Sequence, residues 1–244
     1  MKNNISQLSI IIPCRNNEKN LIKVLPYVIK FCNENILEFE ILVILNGSKQ
    51  QNTLELKEFL QSNKIENVLL ISNEIVGKGA AIKKGVTQAK FENLLISDAD
   101  FSVSIDHILK FLDKNNNFLG DFIVGSRKMK KSSILKTPLL RILSGFFYTL
   151  LVKSLLGIKV SDTQCGFKFI NIKNFTKCID FTNTGFSYDV ELFFLAKQEK
   201  IPVIEVPVDY IHNKKSNVKI VSDSLTMVKD LFLIFWKYRL TKSE

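Results

Sequence analysis

The sequence predicts an α/β chain built on a doubly wound, mostly parallel sheet flanked by helices, and three observations predict it. Short apolar runs alternate with amphipathic stretches throughout residues 8–127. The first three runs are each closed by a polar loop carrying proline, glycine or asparagine, the punctuation of strand ends. The fourth run, Leu94-Leu95-Ile96, gives way to two carboxylates, Asp98 and Asp100, with only Ala99 between them. In open sheets of this kind ligands bind at the carboxyl ends of the strands, where that pair falls. Aspartates also cap turns, so the pair alone does not assign a chemistry.

The elements follow in order. Residues 8–12 read as a buried first strand ended by Pro13. The loop Cys14-Arg15-Asn16-Asn17-Glu18 then leads into a helix with Leu21, Val24, Leu25 and Val28 on one face. Residues 39–45 form a second strand, Asn46-Gly47-Ser48 a turn, and residues 53–60 a helix. Residues 68–72 form a third strand, after which Gly77-Lys78-Gly79 opens a helix through Ala80, Ile82 and Val86. A helix start with glycines and a lysine offers backbone donors, a positive dipole end and a cation to an anion. It is not a P-loop, because the spacing and the Lys-Ser/Thr pair are missing. Residues 93–97 are the fourth strand, Ser104 or Asp106 is placed to cap the helix through Ile108 and Leu112, and residues 122–125 are a fifth strand.

Beyond residue 127 the character changes. Residues 128–136 form a lysine-rich loop, and residues 139–158 are nearly all apolar, with a longest charge-free run of eleven residues, too short to span a bilayer. A last helix over residues 223–240 carries Leu231-Phe232-Leu233-Ile234-Phe235-Trp236 followed by Lys237, Tyr238 and Arg239. An apolar band with an aromatic and basic edge suits an amphipathic helix lying in a membrane interface. This change of character divides the single domain into a half over 1–127, nucleotide-binding by architecture, and a second half over 128–244.

Composition narrows the partners. Of 244 residues, 46% are hydrophobic and 24% charged, with a net charge of +10, which describes a globular chain drawn to something anionic. Basic residues are scattered and no nucleic-acid recognition motif is present, so nucleic acid is excluded as the partner; an anionic lipid surface or a phosphorylated substrate fits. Four cysteines without metal spacing and only two histidines argue against zinc and for reduced thiols in a cytoplasmic setting. The first eight residues lack the apolar core of a signal peptide. A homo-oligomer is compatible with this composition.

The most specific string is Asp162-Thr163-Gln164-Cys165-Gly166-Phe167-Lys168, followed by Ser187-Tyr188-Asp189-Val190-Glu191. With the acidic pair, these residues make the chain resemble GT-A fold, family 2 glycosyltransferases, and among them the dolichyl-phosphate β-glucosyltransferases and their prokaryotic polyprenyl-phosphate relatives. The resemblance runs from residue 8 to about 240. It implies an inverting transfer of a hexose, glucose from UDP-glucose by preference, onto a polyprenyl or dolichyl phosphate by a protein held peripherally at the inner face of a membrane. It implies that Asp98 and Asp100 hold Mg²⁺ or Mn²⁺ against the donor diphosphate. The donor would be bound by Pro13, Arg15, Asn17, Asn46, Lys78, Asp98, Ala99 and Gln164. Arg127, with Arg141 and Ser144 behind it, would bind the acceptor phosphate, and Asp189 would orient the acceptor or act as a base, with Glu191 second to it. Asp162 and Gln164 would line the sugar pocket, and Cys165 would be a packing residue.

The chain departs from the family where the nucleoside binds. Arg15-Asn16-Asn17-Glu18 stands for Tyr-Asn-Glu-Glu, Leu45-Asn46-Gly47-Ser48 for Asp-Asp-Gly-Ser, Val76 for an arginine, and Asn217 for a lysine. Asparagine can still bond a base edge, and leucine cannot. Three alternatives follow: a transferase using GDP-mannose, one acting on a saccharide hydroxyl, and a basic membrane-binding protein without catalysis.

Overall fold

The computed structural model describes residues 5–129, 134–135, 139–211 and 220–240, with side chains of the third and fourth segments described from 145 (146 excepted) and from 225 to 238. In chain order the first half runs β1 (Ile5–Cys14), α1 (Glu18–Asn35), β2 (Ile36–Leu45), α2 (Gln50–Ser62), β3 (Val68–Ser72), α3 (Lys78–Gln88), β4 (Asn93–Ile96) and β5 (Phe122–Ser126). The second half adds β6 (Ile134–Leu135), α4 (Leu139–Leu156), β7 (Lys168–Asn171), α5 (Tyr188–Gln198), β8 (Val203–Pro207), β9 (Tyr210–Ile211) and α6 (Ile220–Leu240).

Seven strands form one sheet in the order β3-β2-β1-β4-β7-β5-β8, and β6 pairs with β9 separately. The order reverses between β1 and β4, the switch point where such sheets bind ligands. All pairings in the large sheet are parallel except those of β7, which runs antiparallel between β4 and β5, with Lys168 opposite both Ile96 and Val124. Its reversal brings the start of β7 to the edge where the parallel strands end. The 162–168 string therefore meets the acidic pair, and the two proposed halves share one sheet.

Strand alternation divides the core. Ile10, Ile12 and Leu95 face one helical layer with Leu21, Leu25, Val28 and Leu56 of α1 and α2. Ile11, Leu94 and Ile96 face the other, with Ile82, Val86, Val152, Leu192 and Leu231 of α3, α4, α5 and α6. Side chains covered on both faces explain why these strands read as continuous apolar runs. Each such buried aliphatic contributes about 1.5–3 kcal/mol.

Three expectations are revised by the backbone. Pro13 does not end β1, which continues to Cys14 paired with Leu45. The carbonyl of Ile11 accepts from Ser97 on the β4 side and that of Cys14 from Asn46 on the β2 side. Residue 13 therefore faces β4 beyond the last β4 partner, where a missing N–H leaves no ladder bond unmade. The helix after β4 is a 3₁₀ helix over Ile105–Phe111; Ser104 precedes it but makes no capping bond and donates instead to Asp106. Residues 130–133 and 136–138 of the lysine-rich loop lie outside the described residues.

Candidate active site

Every chemistry-bearing segment converges on the carboxyl edge of the sheet. After β4 the chain turns tightly: Phe101 N–H donates to the Asp98 carbonyl at 3.0 Å and Ser102 N–H to Asp100 Oδ1 at 3.1 Å. Phe101 takes φ +44°, a left-handed conformation that a bulky side chain adopts only where the surroundings impose it, commonly at functional sites. Lys78, at the start of α3, places Nζ 2.6 Å from Asp98 Oδ1. Burial raises the Asp98 carboxyl, but Lys78 above all, then Lys168 and Arg127, outweigh it and hold the group below its usual range. For Lys78 burial acts downward, and Asp98 and Asp189 more than reverse it.

Behind this pair lies a second one. Lys168 Nζ stands 2.8 Å from Asp189 Oδ1, and its chain is wholly buried. It also donates to the Cys165 carbonyl. Two ammonium groups and two carboxylates thus alternate across the edge. Asp189 does not cap α5: Ser187 holds the N-cap position, its carbonyl accepting Val190 and Glu191 N–H groups, while Asp189 turns inward.

Arg127, at the end of β5, is engaged rather than open. Its Nε and Nη2 reach Asp162 Oδ2 and Oδ1 at 2.7 and 2.8 Å, and its own backbone N–H reaches Oδ2 at 3.0 Å. The guanidinium lies 5.1 Å from the Tyr210 ring centroid. Asp162 is itself seated by Glu205 of β8, whose carboxylate accepts the N–H groups of Ser161 and Asp162 at 2.9 and 3.1 Å. Burial raises Asp162, yet Arg127 draws it down to about 2. Asp162 is therefore the anchor of Arg127. Gln164 is half-buried beside it, its N–H on Asp162 Oδ1 at 3.2 Å. Cys165 is buried, and burial pushes its thiol up to about 11, as befits a packing residue.

At the glycine-lysine-glycine start of α3, the amides of Gly77, Gly79 and Ala80 are taken by the protein itself. Gly79 and Ala80 N–H donate to the carbonyls of Gly185 and Thr184 at 3.1 and 3.2 Å, and Gly77 N–H donates to Asn46 Oδ1 at 3.0 Å. Glycine is required there by packing: a Cβ at 79 would lie 2.2 Å from the Asn183 carbonyl oxygen. What this turn brings to the edge is the Lys78 side chain. Asn46, buried, ties that turn to the end of β2. The loops after β1 and β2 are laced together, with Asn16 N–H on Ser48 Oγ at 3.2 Å and Lys49 N–H on Asn16 Oδ1 at 2.9 Å. Arg15 is exposed on this loop and Pro13 and Asn17 are half-buried; Asn17 Oδ1 accepts from Asn20 at 2.6 Å. Ala99 is buried. The side chains of Arg141 and Ser144 lie outside the described residues.

Asp98 and Asp100 are the two carboxylates that this edge could offer a divalent cation. Among the described residues no cluster of three or more His, Cys, Asp or Glu side chains is placed to hold a metal. A hard ion here would take protein oxygens from Asp98 and Asp100 and its remaining ligands from water and substrate phosphate, the ordinary arrangement for magnesium. Gly166 leaves room for the Asp98 carboxylate: a Cβ there would lie 2.2 Å from Asp98 Oδ2.

With this geometry in hand, the comparison with known families is decisive. The model of glycosyl transferase family 2 matches residues 9–179. This chain belongs to that family. It is a GT-A glycosyltransferase by fold and family, an enzyme class in which metal dependence is typical. Among its relatives is a dolichyl-phosphate beta-glucosyltransferase of Trichomonas vaginalis, 32% identical over 96% of this chain and 74% of the relative. The Homo sapiens protein of the same name is 29% identical over 95% of this chain and 76% of its own length. An uncharacterised Methanocaldococcus jannaschii protein is 34% identical over 91% of this chain and 98% of its own. Glucosyl-3-phosphoglycerate synthase of Mycobacterium tuberculosis, solved with Mn²⁺, UDP-glucose and phosphoglyceric acid, shares the fold with a TM-score of 0.67 at 14% identity, covering 94% of this chain and 79% of that one.

Sequence reasoning missed the buried Lys168–Asp189 pair, the Arg127–Asp162 clamp and the packing of residues 183–185 on α3. The first had a signal, since Lys168 sits between Phe167 and Phe169 in an apolar strand and a lysine there needs a buried carboxylate.

Proposed function

We propose that this glycosyltransferase moves glucose from UDP-glucose to the phosphate of a dolichol-type polyprenol, inverting the anomeric carbon. The observation that carries the reading is the match to dolichyl-phosphate beta-glucosyltransferases over 96% of this chain, which takes in the second half as well as the donor edge. The acceptor phosphate oxygen bonds the sugar's anomeric carbon while the bond to the donor diphosphate breaks, and UDP leaves with the electron pair. A phosphate monoester is substantially dianionic at neutral pH, its second pKa being about 6, so no strong general base is required. The enzyme's task is to hold two anions together.

The residues divide that task. Asp98 and Asp100 hold Mg²⁺ or Mn²⁺, which neutralises the leaving diphosphate when bound. Lys78 adds a cation on the donor side. Arg127, fixed by Asp162 and stacked on Tyr210, keeps further N–H donors for the acceptor phosphate, with Arg141 and Ser144 on α4 as its companions. Asp189, backed by Lys168, orients the acceptor. Arg15, Asn17 and Asn46 stand on the nucleoside side and Gln164 on the sugar side.

The acceptor's chain calls for a membrane surface. Phe147 and Leu150 on α4 and Leu225, Phe232, Leu233 and Trp236 on α6 are exposed, and α4 packs on α6. An aromatic and aliphatic face on a chain of net charge +10 suits an anionic interface. No helix among the described residues is long and apolar enough to cross a membrane.

Nucleotide binding tests the donor side. Titration with UDP-glucose, other UDP-sugars and GDP-mannose, each with and without Mn²⁺, should give metal-dependent binding of UDP-glucose that Asp98→Asn abolishes. Preference for GDP-mannose would overturn the donor assignment.

A further inference from the structure

One buried carboxylate joins the membrane-side helix to the donor-side lysine. Glu191, on α5, is wholly buried and splits its two oxygens. Oε1 accepts from Lys237 Nζ at 2.8 Å, Tyr238 OH at 2.9 Å and Thr182 Oγ1 at 3.1 Å. Oε2 accepts the backbone N–H groups of Thr182 and Asn183 at 2.9 and 2.7 Å. Lys237 and Tyr238 belong to α6 and directly follow the exposed Trp236.

The segment that Glu191 holds is the one that seats α3. Beyond Asn183, the carbonyls of Thr184 and Gly185 take the first-turn N–H groups of Ala80 and Gly79. The approach is close on both sides of Lys78: a Cβ at 77 would lie 2.1 Å from the Thr184 carbonyl oxygen, and one at 79 would lie 2.2 Å from that of Asn183. Lys78, held between these contacts, reaches Asp98 at 2.6 Å. A path of hydrogen bonds and backbone therefore runs from α6 through Glu191 and residues 182–185 to the turn that aims Lys78, with Lys237 Nζ adding a direct bond to Thr182 Oγ1 at 2.9 Å.

We propose that Glu191 is a positioning residue that couples the seating of α6 to the placement of Lys78, so that the helix carrying the exposed apolar face tunes affinity for the nucleotide sugar. The proposal rests on the reading of Lys78 as a donor-side residue. A carboxylate serving only as a loop cap would spend both oxygens on residues 182–183; here one oxygen is given largely to α6. Lys237 Nζ sits on a side chain 39% exposed, so the charged part of the link can be removed from the surface without opening the core, leaving the Tyr238 bond in place.

Lys237→Met tests it, with Lys237→Arg as the rescue and Glu191→Gln as a second break. Amide hydrogen exchange without substrate should show Thr182, Asn183, Gly79 and Ala80 exchanging about tenfold faster in Lys237→Met, with the last turn of α3 unchanged. Steady-state kinetics should show donor KM raised about fivefold and kcat within about twofold, the net scale of one ordinary hydrogen bond, as expected where the Tyr238 bond still holds part of the link, and Lys237→Arg should restore both. Faster exchange that stops at residues 182–183, or a fall in kcat at unchanged donor KM, overturns the coupling. Exchange reads the link without any sugar, so a protein that transfers nothing would count against the function while the exchange result still decides the link.

Discussion

Replacing Asp162 by asparagine removes the charge around which Arg127 is organised. The carboxylate accepts both guanidinium bonds, the Arg127 backbone N–H and the Gln164 N–H. It is buried, and its carboxyl sits at about 2 instead of the ordinary 3.8. At about 1.4 kcal/mol per pKa unit, that difference is worth about 2 kcal/mol of folding free energy at neutral pH. Asparagine also strands a guanidinium whose side chain is only 20% exposed, and removal of one member of a buried pair costs about 3–5 kcal/mol. Because Arg127 keeps some access to water, the expected loss is about 2–4 kcal/mol, read by urea denaturation at pH 7. The sign of its pH dependence follows from a depressed carboxyl: the stabilisation is full above the unfolded value near 3.8 and fades as pH falls through about 2. The difference between wild type and Asp162→Asn should therefore shrink by roughly half near pH 3. A loss under about 0.5 kcal/mol at pH 7, or one equal at pH 7 and pH 3, would refute the clamp.

Three other perturbations discriminate parts of the site. Gly166→Ala places a methyl against Asp98 Oδ2; metal-dependent nucleotide binding should weaken at least about tenfold with circular dichroism unchanged, since a displaced ligand costs metal affinity on that scale. Lys168→Met leaves Asp189 buried without its ammonium and should destabilise by about 3–5 kcal/mol in urea, whereas Lys168→Met with Asp189→Leu should recover part of that loss. Phe232→Ser with Trp236→Ser should reduce sedimentation with anionic vesicles about tenfold or more, because each exposed aromatic carries a large apolar surface, and leave nucleotide binding in detergent as in wild type.

The sheet was legible because its central strands are covered on both faces. Residues 94–96 and 122–125 have no polar side to confuse the reading, and all of them are buried. β7 was not legible as a strand: it is four residues long, opens on a lysine and runs against its neighbours, so neither length nor pattern marks it. Within the site, Asp98, Asp100 and Lys78 stood out through local chemistry at strand ends. Partnerships across the chain did not. Arg127 and Asp162 are 35 residues apart, and nothing in either segment says that one anchors the other. The glycines around Lys78 drew attention as a helix start suited to an anion; the Gly79 and Ala80 amides there donate to the carbonyls of Gly185 and Thr184, partners more than a hundred residues away that nothing local announces.

The most direct test of the central claim is transfer itself: purified protein, dolichyl or polyprenyl phosphate in detergent, labelled UDP-glucose and Mn²⁺ or Mg²⁺, with Asp98→Asn beside it. The expected result is an acid-labile lipid-linked glucose in β configuration, formed by the wild type and lost in the variant. Glucose transferred instead to a saccharide or small hydroxyl acceptor, with the lipid phosphate left unmodified, would contradict it.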